Sequence, residues 1–205
     1  MTDCFALLDE LRRPWLDVAS LKAKFLARSA EVHPDRVHNA PEAERAAAQE
    51  RYTALNAAFN TLREPKDRLQ HLLELESGAK PGNIQSTPPE LMDLFFEVGR
   101  LCRDVDFFLL EKNRANSPLL KVKMFQRAMD WTGQINALQV RLNAKRGELE
   151  AALSAMNEAW AAAPLEPETR RAVLPLARLE QLYRTFSFLS RWTGQLQDRV
   201  VQLAF

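Results

Sequence analysis

The sequence predicts an all-α protein, and three observations carry that reading. Alanine, leucine, arginine and glutamate dominate the 205 residues while only six are glycine. Apolar residues recur at spacings of three and four rather than two. The breaks between periodic runs fall at proline-bearing corners such as Pro14, Pro34, Pro65 and Pro118.

Element by element, Phe5, Leu7, Leu8 and Leu11 predict a short amphipathic first helix, broken by Pro14. Asp17 offers an N-cap for a second. On that helix Val18, Leu21, Phe25, Ser29 and Val32 share one arc at about 100° per residue. Lys24 and Arg28 sit on one flank, Lys22 on the other, and Ala19, Ala23, Ala27 and Ala30 line the back. Pro34 disfavours helical backbone at His33, so the helix ends there, and His33-Pro34-Asp35 occupies an exposed loop. A third helix opens near Pro41-Glu42, with acids toward the positive end of its dipole. Its stripe of Tyr52, Leu55, Phe59 and Leu62 must be buried against the second helix, which predicts an antiparallel hairpin with the tripeptide at its tip. Pro65 ends the third helix and restarts a short one bearing Leu69, Leu72, Leu73 and Leu75.

A His-Pro-Asp tripeptide joining two such helices, the first of them basic, resembles the J-domain. The run Leu55-Asn56-Ala57-Ala58-Phe59-Asn60-Thr61-Leu62, followed by Pro65, Arg68 and Leu72-Leu73-Glu74-Leu75, resembles the HscB-type co-chaperones of iron–sulfur cluster assembly more than J-domains in general. That resemblance implies a J-domain over residues 1–75, with His33, Pro34, Asp35, Lys22, Lys24 and Arg28 meeting a DnaK-type chaperone and stimulating its ATPase. Asp35 would make a charge-assisted contact to an arginine of the chaperone.

Residues 76–89 are rich in Gly, Pro, Ser and Thr and read as a linker. From residue 90 to 205 helical spacing returns. Leu91, Leu94, Phe95, Val98, Leu101, Cys102, Val105 and Leu109 form a core-facing stripe. A turn at Asn116-Ser117-Pro118 introduces a second long helix to about Ala162. Beyond Pro164 and Pro167 a third runs to Phe205, with Pro175 kinking or interrupting it. Three long helices with short connections predict an antiparallel three-helix bundle.

Met92, Phe96 and Phe107 fall off the core arc, with Arg100 and Arg103 among them. They form either a partner site or a surface packed on another part of the chain. The resemblance implies a bundle that binds the iron–sulfur cluster scaffold protein through Leu91, Met92 and Phe95, with Phe96 beside them and Phe188 a looser match on the last helix. Phe96, Val98 and Gly99 stand where that family has charged side chains, which keeps open a different client. Asn157-Glu158-Ala159-Trp160 also matches the family. A structural helical adaptor with a vestigial tripeptide is a further alternative.

The near-zero balance of 28 basic and 27 acidic residues argues against wholesale nucleic-acid binding. No apolar run reaches membrane-spanning length and none resembles a signal peptide, so a cytoplasmic protein is expected. Cys4 and Cys102 read as buried thiols rather than a disulfide. His33, His38 and His71 have no ligand spacing, so no metal or cofactor is expected. Neither a Gly-x-Ser-x-Gly elbow nor a phosphate loop occurs, and no catalytic residue is assigned. The repeated Trp131-Thr132-Gly133-Gln134 and Trp192-Thr193-Gly194-Gln195 read as tryptophans packed between helices.

Overall fold

The computed structural model describes residues 2–82 and 86–204. It is 82% helical, in agreement with the all-α expectation, and has no strand among the described residues. Among the described residues eight α-helices follow in order: α1 Cys4–Leu7, α2 Val18–Glu31, α3 Glu42–Arg63, α4 Pro65–Ser77, α5 Met92–Asn113, α6 Pro118–Ala162, α7 Pro167–Val173 and α8 Leu176–Ala204. Two compact units result, and they are not consecutive in sequence. One comprises residues 1–82 with 150–183, the other 83–149 with 184–205. Of the segment read as a linker, residues 83–85 lie outside the described residues, as does Phe205. No helix among the described residues is long and apolar enough to cross a membrane.

In the first unit Asp3 caps α1 by accepting from the Phe5 and Ala6 amides. Asp9, at φ 49°, then turns the chain, so α1 ends at Leu7 and Leu11 is 78% exposed rather than on a buried stripe. Asp17 caps α2 through the Ser20 amide, as its sequence position predicts. Val18, expected on the packed arc, is instead exposed in the first turn of α2. Phe25 stacks on Phe59 at 4.5 Å between ring centres, and His33 meets Tyr52 edge-on at 5.1 Å. These two pairs set α2 and α3 antiparallel.

Pro65 cannot donate an amide to the last turn of α3, and Glu64 before it is extended, so α3 stops with orphan carbonyls. Arg68, only 2% exposed, answers one of them. Its Nη1 donates to the Leu62 carbonyl (2.7 Å) and its Nε to the Pro14 carbonyl (2.8 Å). One buried guanidinium thereby ties the loop after α1 to the α3–α4 corner. Alongside it His71 stacks on Phe5 and accepts the Cys4 amide on Nε2 at 3.0 Å.

The later chain completes this unit. The Asn157 amide grips the Trp15 backbone at both its N–H and its C=O, each at 3.0 Å. Arg170 forks onto Glu76, whose side chain is almost fully buried, at 2.9 and 3.0 Å. Helix α4 therefore continues past Glu76 to Ser77 and ends at Gly78, whose φ of 76° is the left-handed C-cap position. Pro175 separates α7 from α8, the interruption its sequence position predicts.

In the second unit Glu111–Arg127 and Glu97–Arg141 pairs set α5 and α6 antiparallel. Asp106–Arg199, and Lys112 donating to the Leu203 carbonyl, lay α8 alongside α5 in the same direction. The core holds Leu91, Val98, Val105, Phe108, Ile135, Leu142, Leu189 and Leu196, with Trp192 inside it and Trp131 packed against it. Both repeated tryptophans thus pack between helices.

Two measurements check the first unit. Arg68→Leu leaves two buried carbonyls without their donor, and at ~1–3 kcal/mol each the expected loss is about 3 kcal/mol in urea unfolding. Burial pushes the His71 imidazole below its ordinary value of 6.5, against the opposing pull of Asp3 and Glu74. The unfolded chain then binds the proton more readily, so this stability is complete above pH 6.5 and declines as pH falls through the window below it. Unfolding of His71→Gln should show a shallower pH slope in that window than the wild type.

Candidate functional site

The tripeptide is built by its own short-range bonds. His33 is extended before proline and caps a 3₁₀ turn over Pro34–Val37. Its Nδ1 accepts the Asp35 amide at 3.3 Å and lies 3.5 Å from Asp35 Oδ2. The Arg36 amide donates to the His33 carbonyl (3.0 Å), and the His38 ring meets the Asp35 carbonyl through Nδ1 at 2.8 Å. With its backbone held on both sides, the Asp35 carboxylate stands 90% exposed at the tip of the α2–α3 hairpin. The Tyr52 edge contact fixes the His33 ring from the α3 side.

The basic residues of α2 are less free than the sequence suggests. Lys24 donates to the Asp9 carbonyl and pairs with Glu10, each at 2.8 Å, and Arg28 pairs with the Asp9 carboxylate. Both cations remain partly exposed while leaning on the turn after α1. Lys22 is exposed and makes no ion pair among the described residues. The surface beside the tripeptide is therefore an ordered network of two acids and two bases with one further lysine. Reading α2 by itself missed this, although Asp9-Glu10 stood in the sequence as the signal.

The second candidate surface lies on α5. Phe95 and Phe96 are exposed and meet each other edge-on at 5.4 Å, and Met92 is half-buried one turn earlier. Leu91 and Phe188, expected in direct contact with a client, are buried in the core of the second unit. Leu91 is the buried last residue of the 3₁₀ turn that precedes α5, and Phe188 packs on Trp192 at 5.6 Å with Arg191 over its face. Phe95 reaches the same Trp192 ring at 6.3 Å between centres. Val98 is likewise core, and Glu97 is held by Arg141 at 2.5 and 2.6 Å. Phe96 and Gly99 stay outward, and Phe107 is exposed further along the same helix.

Among the described residues no group of three or more His, Cys, Asp or Glu is placed to hold a metal ion. Cys4 and Cys102 are free, and burial raises both thiols above their ordinary range.

Comparisons with known proteins point one way. No protein-family model matches the chain. In sequence it is 36% identical over 93 residues to the "Co-chaperone protein HscB homolog" of Azoarcus sp., an alignment spanning 44% of this chain and 52% of that protein. It is 38% identical over 73 residues to the homologue of Aromatoleum aromaticum, covering 36% and 41% respectively. The chain thus spans about half the length, or less, of the curated relatives it matches. In fold it is similar to chaperone HscB from Vibrio cholerae, with a TM-score of 0.58 and 18% identity over 98% of this chain and 99% of that one. The crystal structure of human co-chaperone protein HscB gives a TM-score of 0.55 at 18% identity, over 95% and 81%.

The loop geometry has a direct spectroscopic check. Removing the aromatic neighbour with Tyr52→Ala should move the His33 ring-proton NMR shifts toward their values in an unstructured peptide, while amide shifts in α4 stay in place.

Proposed function

We propose that the chain is an HscB-type J-domain co-chaperone acting in the cytoplasm. Its His33-Pro34-Asp35 tip docks on a DnaK-type chaperone and stimulates that partner's ATPase. The observation that carries this reading is the Asp35 carboxylate, exposed at a hairpin tip whose backbone is held by His33 and Arg36. The sequence similarity to HscB homologues supports it.

Hydrolysis belongs to the chaperone. The tip biases it by binding one of its conformations better than another, and the size of the effect is limited by that difference. A preordered aspartate gives up little side-chain and backbone freedom when it meets an arginine. Lys22, Lys24 and Arg28 steer the encounter with an acidic surface, and salt weakens that steering.

The client is held by the α5 surface of Met92, Phe95 and Phe96, and it is an iron–sulfur cluster scaffold protein. Carrying both sites on one chain raises the client's effective concentration at the chaperone. The apolar Phe96 and the bare Gly99, standing where charges occur in the resembled family, favour as a second reading the same co-chaperone with another client.

Purified wild-type chain should raise the steady-state ATPase of a DnaK-type chaperone, and His33→Gln and Asp35→Asn should abolish the increase without lowering helicity. Equal stimulation by all three proteins would sink the docking assignment. In a pull-down with purified scaffold protein, Met92→Ala and Phe96→Ala should each cut capture several-fold. No capture by the wild type would favour the other client, and unchanged capture by both variants would reject the patch.

A further inference from the structure

One face of α6 has no partner within its unit. At about 100° per residue, Leu119, Val122, Phe125, Met129 and Val140 lie within an arc of about 120°, on the far side of the helix from core residues Met124, Ile135 and Leu142. Each of the five is more than half exposed. Between Pro118 and Leu149 that arc contains no charged side chain; Gln126, Gly133, Asn136, Ala137, Asn143, Ala144 and Gly147 complete it. A solvated helix normally carries charges opposite its core, so an uncharged outer face marks an interaction surface.

The distribution along this face identifies what covers it. Its large side chains gather toward the N-terminal end and its small ones toward the C-terminal end. Phe125 stands eleven residues before Asn136 and Gly147 eleven after it, while Met129 and Asn143 stand seven before and seven after. An added Cβ would meet nothing within 4 Å at Gly133 or Gly147, so both positions face open space and leave room for a large side chain of a second copy. Laid antiparallel on itself about Asn136, the face sets Phe125 over Gly147 and Val140 beside Gly133. On one flank the same operation brings Lys123 opposite Glu148. Lys123 is exposed with no ion pair among the described residues. The Glu148 side chain is 66% exposed although it also holds Lys145.

We infer that this face of α6 is a self-association surface on which a second copy of the chain packs antiparallel, with a two-fold axis at Asn136. Such a pairing is isologous and closes as a dimer. From Leu119 to Gly147 the strip is about 42 Å long and about 10 Å wide, so two copies bury ~840 Å² together, below the range of permanent dimers. The dimer is therefore weak and concentration-dependent. The inference is independent of the chaperone and client assignments, since it uses neither the tripeptide nor α5.

Sedimentation equilibrium from about 5 to about 500 μM, spanning the dissociation constants of weak pairs, tests it on the full chain. The wild-type mass should rise from 23.4 kDa toward twice that value. Gly147→Arg, at a site with open space in the monomer, should remain monomeric with unchanged helicity. Lys123→Glu should weaken the dimer about tenfold, and the added Glu148→Lys should restore it. In a Cys4→Ser background, Asn136→Cys should form an intermolecular disulfide under mild oxidation. Phe125→Cys should not, because the two copies of that position lie ~33 Å apart along the axis. A wild type that stays at 23.4 kDa throughout overturns the inference. So does a Gly147→Arg variant that dimerises like the wild type, or cross-linking through position 125 rather than 136.

Discussion

The first unit depends on a single buried cation. Arg68 is the point at which the loop after α1, the end of α3 and the start of α4 meet, and it is sealed from water. A guanidinium in such a place is tolerated only when its donors are answered, and here backbone carbonyls answer two of them. Both carbonyls need it equally. Pro14 lies at a bend after α1 and Leu62 in a helix end that Pro65 leaves unsatisfied. Proline at 65 and arginine at 68 are thus one device, a helix stop and the donor that makes the stop tolerable in the interior. That corner fixes the C-terminal end of α3, one arm of the hairpin that carries Asp35.

The exposed tip and the buried corner illustrate two uses of polar side chains. At the tip, His33 Nδ1 holds the Asp35 amide and lies 3.5 Å from one carboxylate oxygen, while the carboxylate itself faces outward. On α2, Lys24 and Arg28 are turned onto Asp9 and Glu10, which converts a cationic stripe into a patterned surface. With two of its cations leaning on acids, such a surface discriminates orientation at contact as well as steering the approach.

Much of this was legible in the chain itself. The Asp17 cap, the stops at Pro34, Pro65 and Pro175, the antiparallel pairing through Phe25 and Phe59, and the tryptophans packed between helices all follow from local rules or periodicity. What escaped depends on residues distant in sequence. Leu11 continued a helical pattern, but a left-handed Asp9 turned the chain before it. Leu91 and Phe188 carried the right residue types for a contact surface, yet core packing claims them because apolar side chains do not announce which side of a helix is covered. Glu76 looked like the start of a polar linker until Arg170, far along the chain, neutralised it in the interior. Asn157 could be matched to a pattern, but that its amide would mimic a backbone pairing with Trp15 had no local signal.

The interleaving of the two units has a consequence for how the protein is made. Trp15 and Asn157 are 142 positions apart, and Glu76 and Arg170 are 94 apart. On a ribosome the hairpin of α2 and α3 can form early from nearby contacts, but its surroundings stay unfinished until Asn157 and Arg170 have emerged. Loop closures of that span are slow compared with local helix pairing. The α2–α3 segment therefore waits with apolar surface uncovered, and helices synthesised much later complete a structure begun early.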